Sequence, residues 1–147
     1  MKKILILIIT FLLSINMSYS AGHKNLINIK EYIDKPYVGM SYENALNSDL
    51  PFLLIIAKPD NAFMLTKFFP IAEMVYNDFK DEYNFCIINA KVKENDDLVY
   101  FFSPEKMPAT YIIDTQNETY TYIDRKYYNK RDIKKILTKF KNGTLFY

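Results

Sequence analysis

The chain has 147 residues, half of them hydrophobic, and its 13 tyrosines and 11 phenylalanines supply the large apolar side chains in the absence of tryptophan. This is the length of one domain and the composition of a globular protein, so an intrinsically disordered chain is excluded. Basic and acidic residues, 19 and 17 in number, alternate along the sequence, and the net charge is only +2. With no concentrated positive field, we expect no binding of nucleic acid.

The N-terminus has the pattern of a secretory signal peptide over residues 1–20. Lys2 and Lys3 precede an apolar stretch at residues 4–17, and Ser18 and Ser20 are small residues of the kind that a signal peptidase recognises. The stretch is shorter than the ~20 apolar residues that cross a bilayer, and no cysteine follows it for lipid attachment. We therefore expect export to the periplasm or the outside, with no stable membrane anchor after cleavage.

Metal and cofactor sites are not expected from the residue types present. One cysteine, Cys86, cannot form an intramolecular disulfide, and the single histidine, His23, is far from it in the sequence. No grouping has the spacing of zinc or copper ligands, and three glycines do not form a phosphate-binding loop. We predict no metal and no cofactor.

The mature chain reads as an irregular lead-in at residues 21–40, interrupted by Pro36 and Gly39, followed by one domain at residues 41–147. Ser41 is placed to cap a short helix, and the apolar run from residue 52 is typical of a strand covered on both faces. Apolar residues at three- and four-residue intervals predict a long helix that contains Pro70 and bends there. The predicted elements are a helix at 42–46, a strand at 52–57, a helix at 64–79, a strand at 85–90, a helix at 96–102, antiparallel strands at 109–114 and 119–123, and a helix at 131–141.

This order resembles the thioredoxin superfamily over roughly residues 41–142. Pro51 precedes the first central strand, Pro70 falls where thioredoxins kink their long helix, and Met107-Pro108 resembles the cis-proline segment that opens the final hairpin. The resemblance implies an α/β fold of three layers, with a central mixed sheet of about four strands flanked by helices. It also implies that Pro108 is a cis-proline.

The residues that carry redox chemistry in that superfamily are absent. The two cysteines of the turn before the long helix would fall on Asn61 or Ala62 and on Met64 or Leu65, and the buried acid would fall near Ile55. Because a thiolate is the nucleophile in disulfide exchange, the usual oxidoreductase activity is not expected. Cys86 lies in an apolar strand, where we expect an inert core thiol.

Three functions remain open at this point. We favour an exported non-catalytic domain that binds a protein or peptide, as a chaperone, adaptor or subunit. In the superfamily such binding uses a groove beside the cis-proline. That groove would be lined by Asn61, Ala62, Phe63, Met64, Met107 and Pro108. One alternative is a redox protein acting through Cys86. The other is an assembly protein that uses an exposed aromatic surface on the tyrosine-rich hairpin, formed by Tyr120, Tyr122, Tyr127 and Tyr128 and the terminal residues 145–147. Ordinary core and sheet roles for these tyrosines are favoured over such a surface.

Overall fold

The computed structural model describes residues 35–59 and 67–144. The predicted signal peptide, most of the lead-in, residues 60–66 and residues 145–147 lie outside these ranges. The described strands are β1 (Tyr37–Gly39), β2 (Phe52–Ala57), β3 (Asn84–Asn89), β4 (Ala109–Asp114) and β5 (Thr119–Ile123), and the α-helices are α1 (Tyr42–Leu46), α2 (Phe69–Phe79), α3 (Asp96–Phe102) and α4 (Lys130–Lys141).

The strands form one mixed sheet in the order β1-β3-β2-β4-β5. Strands β2 and β3 are parallel, and the other neighbouring pairs are antiparallel. Ile56 of β2 lies between Ile88 of β3 and Ala109 of β4, so the ends of β2 and β3 meet the beginning of β4 at one edge of the domain. The predicted α/β class with a mixed sheet flanked by helices is confirmed.

The sheet has five strands, where the sequence predicted about four. The additional strand, β1, lies inside the segment expected to be an irregular lead-in, so that expectation is wrong at residues 37–39. Tyr37, Val38 and Gly39 pair with Ile88, Ile87 and Cys86. The three residues Tyr37–Gly39 are too few to show a periodic pattern, and the strand forms because β3 offers it a partner.

The alternation of side chains along β2 divides the core between the two faces of the sheet. Leu53, Ile55 and Ala57 belong to the cluster that α2 and α4 cover. Phe52, Leu54 and Ile56 belong to the cluster that α1 and α3 cover. All six side chains are completely buried, and each large one stabilises the fold by ~1.5–3 kcal/mol relative to an exposed position.

Pro70 lies at the beginning of an α-helix in the described residues. Lys67 and Phe68 form a π-type turn, α2 starts at Phe69, and Pro70 occupies the first turn. A proline there removes no helical hydrogen bond, because the first N–H groups of a helix have no partner within it. The expected position of Pro70 inside an α-helix is therefore wrong for this part of the chain, and the predicted helical residues before Lys67 lie outside the described ranges.

The remaining boundaries follow local capping. Ser41 Oγ accepts a hydrogen bond from the Asn44 N–H at the start of α1, and Asn129 caps α4 in the same way. These contacts satisfy N–H groups that a helix leaves unpaired in its first turn. Within the described residues no helix combines the length and the apolar character needed to cross a bilayer.

Candidate functional site

The Met107–Pro108 peptide bond is cis and directly precedes β4. Ala109 pairs with Ile56, so this bond lies beside the point where the chain leaves the end of β2. Pro108 is buried, whereas Met107 is half-buried and packs against the cluster on the α1 and α3 side. The structure thus presents the apolar side chain of Met107 beside a cis-proline at this end of the sheet.

The opposite side of the expected groove falls within residues 60–66, outside the described ranges. Asn61, Ala62, Phe63 and Met64 lie outside the described residues, so the structure brings only Met107 and Pro108 of the predicted set into view. Pro59 and Phe68, which lie on either side of residues 60–66, are both buried.

An aromatic pair, Phe68 and Tyr128, packs where the chain enters α2. The rings of Phe68 and Tyr128 are stacked, with centroids 3.6 Å apart and planes 3° apart. Burial raises the pKa of Tyr128 well above its ordinary value, and its hydroxyl has no hydrogen-bond partner in the described part of the chain. The ring of Tyr128 packs against the core beside Phe68, which agrees with the core role favoured from the sequence for half of the hairpin tyrosines.

Cys86 lies in the middle of β3, between Gly39 of β1 and Leu54 of β2. Its side chain is fully buried in the cluster beneath α1 and α3. Burial raises the pKa of the thiol from 9.0 to about 12, because a thiolate loses its hydration in apolar surroundings. The thiol is therefore protonated and inaccessible at neutral pH.

Cys86 is also remote from the cis peptide bond. It is level with Leu54, which pairs with Tyr111, three residues beyond Pro108. Strand geometry places the two residues ~10 Å apart along the strands and ~10 Å apart across two strand spacings. A partner bound beside Pro108 does not reach this thiol.

A cavity of about 730 Å³ opens at the other end of the sheet. Its lining includes Asp49, Asp81, Glu82 and Asp114 together with Lys141, whose Nζ lies 3.0 Å from a carboxylate oxygen of Glu82. Within residues 35–59 and 67–144, no three histidine, cysteine or carboxylate side chains are grouped to hold a metal ion. The cavity is therefore a cleft with charged side chains at the end of the sheet away from Pro108.

Exposed aromatic rings are concentrated on the hairpin and on α3. Tyr120, Tyr122 and Tyr127 are exposed, and Tyr120 and Tyr122 are residues of strand β5, which is the sheet role that the sequence favoured for the tyrosines outside the core. Sequence reasoning missed Tyr100 and Phe101, which are exposed as well. The signal was three consecutive aromatic residues at positions 100–102, which one helix cannot bury together.

The comparison with known proteins agrees with the described geometry. A family model for a thioredoxin-like domain matches residues 26–139, a range that includes β1 to β5 and most of α4. None of the curated proteins matches the chain.

Proposed function

The chain belongs to the thioredoxin-like family, and we propose that it is an exported member that binds a protein or peptide partner without thiol chemistry, as a chaperone, adaptor or subunit. The observation that carries this proposal is the position of Cys86, the one cysteine in the sequence. It is buried in mid-sheet, with its pKa raised to about 12. A disulfide exchange needs an accessible thiolate, and this domain has none to offer.

Recognition is supported by the cis-proline loop at Met107 and Pro108, which lies at the end of the sheet where β4 begins. An extended peptide would bind backbone groups of this loop by strand-like hydrogen bonds, with its side chains in neighbouring pockets. The half-buried thioether of Met107 favours apolar side chains in that peptide, because it adapts to irregular apolar shapes. Asn61, Ala62, Phe63 and Met64 are proposed to form the facing side.

Export is part of the proposal and rests on the sequence of residues 1–20. A positive start, an apolar stretch and small residues at the cleavage position agree with secretion. In an oxidising compartment, a domain with one buried thiol avoids mixed disulfides with other proteins. The burial of Cys86 therefore fits a location in the periplasm or outside the cell.

Binding of an unfolded protein tests the proposed groove. The probe is reduced, carboxymethylated α-lactalbumin, which stays unfolded and carries no free thiol, so binding reports recognition alone. We expect the wild-type protein to bind with a dissociation constant below about 100 µM, and Met107→Arg to weaken binding at least about tenfold, or 1.4 kcal/mol. The control Met74→Arg changes a half-buried methionine on α2, away from Met107.

Circular dichroism checks that both variants are folded. Equal binding by wild type and Met107→Arg contradicts the proposed groove, as does the absence of wild-type binding at about 100 µM. The redox alternative needs Cys86 to attack a partner, which requires α1 and α3 to move away from the sheet face on which this thiol is buried. Nothing in the described part of the chain favours that opening.

A further inference from the structure

Helix α4 and the turn before it concentrate positive charge. Residues 125–141 contain eight lysine and arginine residues and one acidic residue, Asp132. This segment therefore carries a charge of +7, and because the whole chain carries +2, the remaining residues together carry −5. The alternation of charges expected from the whole sequence does not hold in this segment. A positive field is thus concentrated on the face of the sheet that α4 covers.

Contacts with α2 and the segment after it oppose part of this charge. The Asp78 carboxylate pairs with Lys134 and lies 3.9 Å from the Nζ atom of Lys130. The Nζ atom of Lys141 lies 3.0 Å from a carboxylate oxygen of Glu82. These three lysines therefore face carboxylates within the domain.

The remaining cations of α4 face solvent. Arg131, Lys135 and Lys139 recur every four residues, so they follow one side of the helix over ~12 Å, and we call them the basic stripe. All three are exposed, whereas Ile133 and Leu137 are completely buried against the sheet. In the described part of the chain, Lys135 and Lys139 make no ion pair, and Arg131 pairs at 3.5 Å with the carboxylate that follows it.

We propose that the basic stripe binds the surface of a lipid bilayer that contains anionic headgroups. Clusters of four to eight lysines and arginines on an amphipathic helix are typical of such binding, and α4 contains six. The proposed export brings the protein to a membrane surface. The stripe lies on the convex surface of a helix, which suits a broad layer of charge better than a groove-bound peptide does.

The residue types of the stripe favour a bilayer over other anionic partners. Lysine is a hydrated point charge, whereas arginine is the usual residue for the bidentate recognition of nucleic-acid phosphates and carboxylates. The two residues of the stripe without an ion pair are both lysines, and lysine is depleted in protein interfaces. The stripe therefore attracts a diffuse layer of negative charge.

Binding of this kind is electrostatic and reversible. The apolar side of α4 belongs to the core, so it does not enter the bilayer, and salt should screen the attraction. Each lysine close to an anionic surface strengthens binding ~5-fold. Such binding is not a stable anchor, and it does not involve Met107 or the proposed groove.

Co-sedimentation with vesicles tests this proposal. The protein is purified in its exported form, because the apolar stretch at residues 4–17 would itself bind lipid. At about 50 mM salt, we expect the wild type to sediment with vesicles of phosphatidylcholine and phosphatidylglycerol but not with phosphatidylcholine alone, and to dissociate at about 500 mM. The double variant Lys135→Gln, Lys139→Gln should bind the anionic vesicles at least about tenfold more weakly.

The matched control removes two positive charges elsewhere. Lys93 and Lys106 are exposed residues on either side of α3, so Lys93→Gln with Lys106→Gln should bind like the wild type. Circular dichroism checks that both double variants are folded, which is expected because glutamine is a good helix former.

Four results would overturn the proposal. The first is no wild-type binding to anionic vesicles at about 50 mM salt, and the second is equal binding to neutral vesicles. The third is equal binding by the two folded double variants. The fourth is tighter binding to a short DNA duplex than to vesicles at the same phosphate concentration, which would assign the stripe to nucleic acid instead.

Discussion

The neighbours of Cys86 determine its reactivity. Gly39 and Leu54 flank it in the sheet, and α1 lies over it with Ala45 in the same buried cluster. With a pKa of about 12, about one thiol in ten thousand is ionised at pH 8. We expect the native protein not to react with Ellman's reagent, and to react fully in guanidinium chloride.

A surface cysteine calibrates this labelling experiment. The variant Asn142→Cys in a Cys86→Ala background places a thiol at an exposed position after α4 and should react within minutes under native conditions. Native Cys86 reacting at a similar rate contradicts the description of a sealed thiol.

The same pKa predicts how stability depends on pH. The folded pKa of Cys86 is raised from 9.0 to about 12, so its contribution is fully present below pH 9 and is lost as the pH rises from 9 towards 12, where the unfolded thiol ionises first. Between pH 9 and 10.5 the loss is ~1–2 kcal/mol. Urea unfolding should show that the free energy of unfolding falls less steeply with pH for Cys86→Ala than for wild type. The raised tyrosine pKa values contribute equally to both proteins, so the difference between the two curves reports Cys86. If the free energy of unfolding depends on pH in the same way in both proteins, the raised pKa of Cys86 is contradicted.

Tyr83 contributes a buried hydrogen bond between two elements. Its hydroxyl donates to the carbonyl oxygen of Leu137 in α4 at 2.6 Å, and its ring is almost completely buried. Tyr83→Phe leaves that carbonyl without this donor and should lower the free energy of unfolding by ~1–2 kcal/mol. Tyr100→Phe, which removes an exposed hydroxyl, should change it by less than ~0.5 kcal/mol. Equal effects of the two substitutions in urea unfolding contradict this account.

At the scale of elements, α4 depends on a reciprocal cap. The Asn129 side-chain oxygen accepts from the Asp132 N–H at 3.0 Å, and its amide nitrogen donates to the Asp132 carboxylate at 2.7 Å. Asn129→Ala should cost ~1 kcal/mol of stability, while Asn129→Ser, which keeps an oxygen acceptor, should cost about half as much or less. Urea unfolding measures both. If serine is as destabilising as alanine, the cap is not the cause.

Most element boundaries could be predicted because they depend on local patterns. Ser41 as a cap and the apolar run of β2 gave the correct limits of α1 and β2. Strand β1 could not be predicted, because Tyr37–Gly39 becomes a strand only through pairing with residues about 50 positions away. Pro70 was assigned to a helix interior because the apolar spacing continues before it, and spacing alone does not locate a helix start.

At the scale of the whole molecule, features with a local cause could be predicted and contacts between distant elements could not. The loop at Met107 and Pro108 could be predicted from sequence because proline restricts the backbone locally. The exposed aromatic residues could be predicted only in part: the hairpin tyrosines were considered, but Phe101 contacts Tyr120 through the packing of α3 on the sheet. Contacts between distant elements leave no periodic signal in the sequence.

The central claim is that this domain recognises a partner without thiol exchange, and the reduction of insulin by dithiothreitol tests it most directly. We predict that the wild-type protein and Cys86→Ala leave the rate of insulin precipitation equal to that of dithiothreitol alone, because Cys86 is buried and protonated. Accelerated precipitation by the wild type that disappears in Cys86→Ala would contradict the account.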